Sequence, residues 1–396
     1  MSKKINRVNT KRTVEETYQK MDLHESTLEN PGMYIGSITA DTKKMWVFDE
    51  ATFKLMYKDI TFVPGLYKIF DEMLVNCRDH SIRDKSCKII KINIDKATGM
   101  ITIYNDGNEG IPVVIHKEFE IYVPELIFGN LLSSGNFRQK GKIVGGKHGL
   151  GAKLTNIYST YFKVEVTDKK EKIRYEQEFS ENMYKKTEPI ITNLKKCESG
   201  LKISFIPDYK KFGIDGLTSD IISLFEKRVY DIAACTANTV TVYLNDKKIN
   251  IKTFRDYIDM YYEDPTTLKD VIVYEEVNER WRVAAIYDQD SGYRQISYVN
   301  GISTADGGTH VDYIINQIVA GITKTIKDKN KLLNVKPAFI KDNITIFIDS
   351  VIEDPDFPSQ TKDTMVSKMS LFGSKCEISG DFIKQFAKTG IEKMCY

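Results

Sequence analysis

The chain has 396 residues, and its 57 lysines and arginines against 55 aspartates and glutamates leave a formal net charge of +2. At roughly 100–200 residues per domain, a chain of this length forms two or three domains. Its 41% of hydrophobic residues is enough for ordinary cores and argues against disorder. No apolar run approaches the roughly 20 residues of a membrane-spanning helix. The near-neutral charge argues against a protein whose whole surface binds nucleic acid.

The cysteine pattern and the start of the chain indicate an intracellular protein. The six cysteines include no CxxC pair and do not lie at zinc-ligand spacing from the five histidines. They are therefore interpreted as reduced thiols. Met1-Ser2-Lys3-Lys4 leads into no apolar signal-peptide core, and the polar, basic residues 1–17 predict a flexible arm.

Alternating apolar and polar residues predict several strands between residues 62 and 250. The first two, at 88–94 and 100–104, flank a turn at 96–99 and form a predicted hairpin. Further strands are expected at 162–166, 174–179, 201–205 and 239–244. With helical patterns among them, this order predicts a mostly antiparallel sheet that is covered by helices on one face.

A domain boundary is predicted near Asn250, after the last of these strands. Beyond it, the pattern predicts a helix at 254–262, strands at 282–287 and 295–299, a long amphipathic helix at about 310–329 and a strand at 344–348. Strand, helix and strand in this order predict a right-handed βαβ unit. The predicted fold class is α+β, with a second domain of α/β type.

A predicted helix at 66–80 carries an apolar stripe of Leu66, Ile69, Phe70, Met73, Leu74 and Cys77. At about 100° per residue, Glu72, Asn76, Asp79 and Arg83 share the opposite face. A solvated face explains such residues on a generic helix, although Asn is a poor residue for a helix interior. The alternative is that Glu72 and Asn76 offer a base and a metal-coordinating carbonyl to one ligand.

Two glycine-rich segments follow. Residues 105–110 come directly after a strand and are typical of a turn. Residues 145–151 contain four glycines, and helix-like sequence follows, which predicts backbone N–H groups that converge on an anion. The segment is neither a Walker A loop nor a dinucleotide fingerprint, because its lysine and glycine spacings differ from both. Alone, it does not establish a phosphate site.

Taken together, the three segments resemble the ATPase region of the eukaryotic and viral type IIA DNA topoisomerases, which belong to the GHKL superfamily of ATP-binding proteins. The resemblance runs from about Tyr18 to the last residues and is closest at 61–72, 110–114, 310–313 and 359–362. It implies a Bergerat-type ATP-binding domain at residues 18–250 and a transducer domain at 251–396.

The resemblance also implies roles for the matching residues on the helix and the first glycine segment. Glu72 corresponds to the general base that polarises the attacking water, and Asn76 to the Mg²⁺ ligand. Asn105 corresponds to the residue that reads the nucleotide base. Residues 105–110 carry one residue more than the family's usual pattern, and His80 replaces a usual asparagine.

Three further segments are implied to contact the nucleotide. Ser134, Gly135 and Asn136 correspond to a nucleotide-contacting loop. The loop that closes over the triphosphate corresponds to Gly146, Lys147, His148, Gly149, Leu150, Gly151, Ala152 and Lys153. Gln360, Thr361 and Lys362 correspond to the switch loop of the transducer, where the lysine contacts the γ-phosphate. With Glu72, Lys362 and Gln360 are the implied catalytic residues.

The lysines near the end of the long helix have two interpretations. They are a solvated helix end that the helix dipole favours, or they contact DNA. By resemblance, Lys327 and Lys329 correspond to a loop that faces a captured duplex, with weak and salt-sensitive phosphate contacts. The other implied partners are a second copy of the chain, touched by Tyr18 of the arm, and the rest of the topoisomerase. No membrane is expected.

The resemblance implies an ATP-operated gate. ATP binding closes two copies around a DNA duplex, and Mg²⁺-dependent hydrolysis resets them. The chain is expected to lack the DNA-cleavage domains and to act in the nucleus, or in a viral factory or virion if viral. The alternatives are a nucleotide-dependent clamp with little turnover and another GHKL ATPase of the chaperone or mismatch-repair type.

Overall fold

The computed structural model describes residues 21–131, 141–146, 149–262, 271–289, 292–332 and 335–391. The α-helices of this part are α1 (Leu23–Glu29), α2 (Pro31–Tyr34), α3 (Pro64–Arg83), α4 (Val123–Gly129), α5 (Gly151–Ile157), α6 (Ser219–Ala234), α7 (Phe254–Ile258), α8 (Thr309–Lys329), α9 (Pro337–Lys341) and α10 (Gly380–Phe386). None of them is both long enough and apolar enough to cross a membrane. The predicted arm at 1–17 and Tyr18 lie outside the described residues.

The strands of the N-terminal part are β1 (Asp41–Asp49), β2 (Lys54–Phe62), β3 (Ile89–Ile94), β4 (Ile101–Asp106), β5 (Ser159–Asp168), β6 (Ile173–Ser180), β7 (Lys185–Lys186), β8 (Ile190–Asn193), β9 (Gly200–Pro207), β10 (Thr241–Leu244) and β11 (Lys247–Lys248). Those of the C-terminal part are β12 (Ile272–Asn278), β13 (Trp281–Tyr287), β14 (Arg294–Val299), β15 (Ile302–Ser303) and β16 (Ile344–Ser350). The strands form three sheets.

The largest sheet has the order β11-β10-β3-β4-β9-β5-β6-β7, and β8 also pairs with β6. Only β10 and β3 pair in parallel, so the predicted, mostly antiparallel sheet is confirmed. The predicted hairpin is present as β3 and β4, and Ile94 pairs with Ile101 in it. Every second residue of β4 is buried, because α3 covers one face of the sheet.

A separate hairpin of β1 and β2 pairs Asp41 with Phe62 at one end and Asp49 with Lys54 at the other. The hairpin is not predicted from the sequence, because its exposed and buried residues do not alternate over any sustained run. Strand β1 packs against α6.

The C-terminal sheet has the order β12-β13-β16-β14-β15. Strands β14 and β16 are parallel, and α8 lies in the connection between them, which confirms the predicted βαβ unit. Every residue of β16 is buried because both faces of the sheet are covered, and the buried set includes the polar Thr345, Asp349 and Ser350. The two larger sheets divide the chain between Lys248 and Ile272, and the domain boundary near residue 250 stays a prediction.

A buried ion pair joins α3, α6 and the turn before β15. Arg228 on α6 donates from Nε to Asp71 Oδ1 over 2.6 Å and from Nη2 to the carbonyl of Gly301 over 2.6 Å. Its side chain is 0% exposed. Asp71 precedes Glu72 in the chain, so this pair fixes the helix that carries the predicted base.

Replacing Arg228 with methionine should destabilise the fold by about 3–5 kcal/mol, because the buried Asp71 would lose its hydrogen-bonded partner. Its other cationic neighbour, Lys68 Nζ, lies 3.9 Å away. The shift of the urea unfolding midpoint measures this effect. Arg174→Met is the matched control, since Arg174 is 42% exposed and pairs with Glu176 at 2.8 Å. Loss of that surface pair should cost less than about 1 kcal/mol. Equal shifts for the two variants would contradict the structural role of Arg228.

Candidate active site

Helix α3 carries most of the charged residues of the site. Glu72 is 3% exposed and Asp79 is 2% exposed, so the solvated-face interpretation is wrong for both. Only Arg83, at the end of α3, is exposed. The side chain of Asn76 is half-buried and makes no hydrogen bond to another side chain or backbone group of the described residues. Buried carboxylates need partners, so each must be balanced by groups from elsewhere in the chain.

Two lysine side chains meet at one oxygen of Glu72. Lys68 Nζ lies 2.7 Å from Glu72 Oε1, and Lys362 Nζ lies 3.1 Å from the same atom. Burial opposes the charge on Glu72, but the two ammonium groups and their hydrogen bonds outweigh it and lower the pKa of Glu72 to about 2. Burial likewise opposes the charge on Lys68, and the carboxylates of Glu72 and Asp71 nonetheless raise the pKa of Lys68.

Lys362 reaches this position from the loop after β16, 290 residues along the chain from Glu72. Its backbone φ is +62°, which non-glycine residues rarely adopt. The side chain is buried, and Nζ also donates to the carbonyl of Gly145 over 3.4 Å. A strained backbone that carries a buried charge to a second charge is typical of a functional site.

Asp79 anchors the start of the glycine loop. Its Oδ1 accepts a hydrogen bond from Gly145 N at 2.9 Å, and its Oδ2 accepts one from Gly146 N at 2.8 Å. Burial raises the pKa of Asp79, against the effect of the Arg78 guanidinium and these two N–H groups. This contact is not predicted from the sequence. The only signal for it is that Asp79 shares a helix face with Glu72 and Asn76.

Helix α5 begins at Gly151 against the carboxylate of Glu72. A Cβ at position 151 would overlap Glu72 Oε2, so only glycine allows this approach. Two residues further, Lys153 is buried, and its Nζ donates to the carbonyl of Gly149 over 2.5 Å. Burial lowers the pKa of Lys153 to about 8. The second glycine segment therefore lies beside the polar face of α3, as the prediction of one shared ligand site requires.

Asn105 lies at the end of β4 and is buried. Its Oδ1 accepts a hydrogen bond from Cys77 Sγ at 3.4 Å, and its Nδ2 donates to the carbonyl of Asp106 over 3.3 Å. Ile103, Ile127, Phe128 and Ile203 lie around the same cavity as Asn105. An amide among apolar side chains can recognise a flat, polar-edged ring.

Hydrogen bonds to the turn after α3 hold residues 105–110. Asp84 Oδ2 accepts from Glu109 N at 2.8 Å, and Ser86 Oγ accepts from Asn108 N at 2.8 Å. Gly107 has a φ of +136°, and a Cβ there would overlap Asp84 and approach His80 Nε2 to 2.5 Å. His80 lies 3.0 Å from the carbonyl of Asp106, so it supports this turn.

A cavity of about 380 Å³ unites these groups. The predicted site residues among its lining are Glu72, Asn76, Asn105, Gly146, Gly149, Leu150, Gly151, Ala152, Lys153, Gln360 and Lys362. Thr361 is not among the lining residues, and its Oγ1 lies 2.7 Å from Ser359 Oγ. The structure thus brings the three sequence segments and the Gln360 loop together, while the role of each residue stays a prediction.

Some predicted residues do not join this cavity. Lys327 and Lys329 are exposed at the end of α8. The remaining ones lie outside the described residues: Tyr18, Ser134, Gly135, Asn136, Lys147 and His148.

Comparison with known proteins identifies close relatives. A family model described as DNA gyrase B matches residues 253–392. DNA topoisomerase 2 of Acanthamoeba polyphaga mimivirus is 46% identical over 99% of this chain and 31% of that protein. The crystal structure of the ATPase region of Saccharomyces cerevisiae topoisomerase II is 41% identical, covers 96% of this chain and 98% of that one, and has a TM-score of 0.90. The ATPase and transducer domains of DNA topoisomerase II from Balamuthia mandrillaris are 39% identical, with a TM-score of 0.92 and 97% and 98% of the two chains covered.

These relatives agree in fold and in the part of the protein that they match. The chain spans between a quarter and a third of the length of the curated relatives, and nearly all of the two solved regions. Identity near 40% over almost the whole chain, with the same fold, is far above what a shared architecture alone produces. The chain therefore belongs to the DNA topoisomerase II family, whose ATPase region it matches.

Proposed function

We propose that the chain binds ATP in the cavity beside α3 and hydrolyses it to ADP and inorganic phosphate. Water attacks the γ-phosphorus, the bond to the β-phosphate oxygen breaks, and the proton of the water passes to Glu72. Such a transfer depends on positioning and charge neutralisation more than on covalent chemistry. The observation that carries the proposal is the meeting of Lys68 and Lys362 at Glu72 Oε1, at 2.7 and 3.1 Å.

The two lysines have different parts in this proposal. Lys68 lies one helical turn before Glu72 and holds the carboxylate in place. Lys362 lowers the pKa of Glu72, and a carboxylate with a pKa of about 2 is a weak base. When ATP is bound, Lys362 transfers its hydrogen bond to the γ-phosphate. The transfer neutralises charge that develops on the phosphate and makes Glu72 a stronger base.

The cavity fits a nucleotide in size and in chemistry. Its volume of about 380 Å³ falls within the range of roughly 300–1,000 Å³ that ligand sites occupy. Asn105 reads the base, and the backbone of 146–153 surrounds the phosphates, together with Lys147, His148 and Lys153. Ser134, Gly135 and Asn136 contact the ribose or the phosphates. Gln360 and Thr361 complete the switch loop around Lys362.

The donor set also fits Mg²⁺. Asn76 offers an amide oxygen beside the glycine loop. This oxygen, Oδ1, would lie 3.4 Å from a Cβ placed on Gly146. Mg²⁺ commonly takes few protein ligands and keeps waters and substrate phosphates. A bound ion would supply charge neutralisation for the phosphate groups, and Asn76 is the side chain that would hold it.

Within a complete topoisomerase, ATP binding draws two copies of this region together around a DNA duplex, and hydrolysis resets the gate. The support is the similarity to ATPase regions of topoisomerase II. Tyr18 reaches the partner's pocket in this proposal. Lys327 and Lys329, which are exposed, make weak phosphate contacts with the duplex. The site of action is the nucleus, or a viral factory or virion.

Turnover and assembly test the proposal together. ATP hydrolysis by the purified chain is measured with Mg²⁺ and with EDTA. The mass of the chain in solution is measured with a non-hydrolysable ATP analogue and with ADP. We expect hydrolysis only with Mg²⁺ and a dimer only with the analogue. A dimer without any hydrolysis would replace the proposal with the clamp alternative. Absence of both would overturn it.

A further inference from the structure

Residues 141–146 lead into the glycine loop and are held by the loop that carries Lys362. Asp354 Oδ2 accepts a hydrogen bond from Gly141 N at 2.6 Å, and Asp354 Oδ1 accepts one from Lys142 N at 3.2 Å. The backbone N of Asp354 donates to the carbonyl of Lys142 over 2.8 Å. A carboxylate that accepts from two successive N–H groups makes strong, charge-assisted hydrogen bonds.

Two further side chains of the C-terminal part contact the same segment. Asn300 Nδ2 lies 3.5 Å from the carbonyl of Val144, and Lys362 Nζ lies 3.4 Å from the carbonyl of Gly145. Asn300 is fully buried, and its side chain also bonds the N–H and the carbonyl of Ile352 at 2.9 and 2.8 Å. Asn300 therefore ties the segment to the start of the loop after β16.

The opposite end of the segment is fixed to α3. Asp79 accepts hydrogen bonds from Gly145 N and Gly146 N at 2.9 and 2.8 Å. A Cβ at position 145 would lie 2.6 Å from Val75 Cγ1 and 3.1 Å from Ile302 Cγ1, so the backbone lies tightly between these side chains. Asp354 at one end and Asp79 at the other leave the segment little freedom to shift alone.

We propose that Asp354 is a positioning residue, which fastens residues 141–146 to the loop of Lys362, so that the glycine loop and the lysine move as one unit. Asp354 lies eight positions before Lys362 in the same loop and does not line the cavity of Glu72. The inference rests on the proposed function, because it makes Asp354 act on nucleotide binding through the glycine loop. It adds a residue to which neither the sequence nor the comparisons assign a role.

The variant Asp354→Gly removes both acceptor oxygens without straining the backbone. Asp354 has a φ of +42°, a region that glycine adopts freely and that asparagine tolerates. We expect the Kd of a non-hydrolysable ATP analogue to rise about tenfold, because only part of the contribution of the two lost charge-assisted hydrogen bonds is transmitted to the nucleotide. Asp354→Asn keeps one acceptor oxygen and should give a smaller rise.

Hydrogen exchange of the full chain provides the second readout. Without nucleotide, the amides of Gly141 and Lys142 should exchange faster in Asp354→Gly than in the wild type, while those of Gly145 and Gly146 should not change. With the analogue, the wild type should gain protection at 141–146 and at 353–362 together. In the variant, the protection at 353–362 should be lost.

Glu353→Gln is the matched control, because Glu353 is the neighbouring carboxylate and pairs with Arg280 at 2.8 Å instead. It should leave the Kd and the exchange of 141–146 unchanged. Wild-type affinity and exchange in Asp354→Gly, or equal effects in Glu353→Gln, would overturn the inference. The exchange measured without nucleotide tests the contact of Asp354 with Gly141 and Lys142 whether or not ATP is the ligand. A failure of this inference is therefore distinguishable from a failure of the proposed function.

Discussion

Replacing Glu72 with glutamine should lower kcat for ATP hydrolysis by about 10²–10⁴-fold, which is the usual contribution of general base catalysis. Glutamine keeps the shape of the side chain and can accept a hydrogen bond from Lys68, but it cannot take a proton from water. Binding of a non-hydrolysable analogue should therefore change much less than turnover. Steady-state hydrolysis and calorimetric titration measure the two effects separately.

Glu125→Gln is the control for this prediction. Glu125 is also a buried glutamate, and it pairs with Lys186 at 2.5 Å and accepts from Gln177 Nε2 at 3.1 Å. It does not line the cavity of Glu72. Turnover of this variant should stay close to that of the wild type. If Glu72→Gln hydrolysed ATP as fast as Glu125→Gln, Glu72 would not be the base.

Replacing Lys362 with methionine should lower kcat by roughly 10²–10³-fold, as loss of one preorganised group that stabilises transition-state charge does in other enzymes. Both residues are unbranched at Cβ, so the strained φ of +62° costs the two side chains about the same. The variant also removes an ammonium that lowers the pKa of Glu72. Because Lys362 leaves Glu72 for the γ-phosphate when ATP is bound, this change in the pKa of Glu72 does not offset the loss of turnover.

Lys384→Met is the control for the second prediction. The Lys384 side chain is 73% exposed and pairs with Asp381 at 3.4 Å, in the same part of the chain as Lys362. The Lys384→Met variant should hydrolyse ATP at the wild-type rate. Analogue binding separates the two contributions of Lys362, because it reports ground-state contact with the γ-phosphate. Wild-type turnover in Lys362→Met would remove the lysine from the mechanism.

Much of the fold is predictable because its elements follow local periodicity. The long helix at 310–329 and the strand at 344–348 correspond to α8 and β16, and their order alone predicts the βαβ unit. The β1–β2 hairpin is different. Many side chains along its two strands are exposed, so no sustained alternation of buried and exposed residues distinguishes the hairpin from a loop.

The site is predictable in part. Helical spacing places Glu72, Asn76 and Asp79 on one face, but periodicity cannot decide whether that face meets water or the glycine loop. The contact of Lys362 with Glu72 spans 290 residues and depends on how the two larger sheets pack, so only family resemblance suggests it. The contacts of the Asp354 carboxylate with backbone N–H groups leave no pattern in the sequence, and those of Asp79 leave only its place on the helix face of Glu72 and Asn76.

A structure of the chain with Mg²⁺ and a non-hydrolysable ATP analogue tests the central claim most directly. The account predicts the γ-phosphate between Glu72 and Lys362, with Asn76 on the metal ion and Asn105 at the base. A triphosphate bound elsewhere, or a Lys362 ammonium that remains on Glu72 and away from the γ-phosphate, would contradict it.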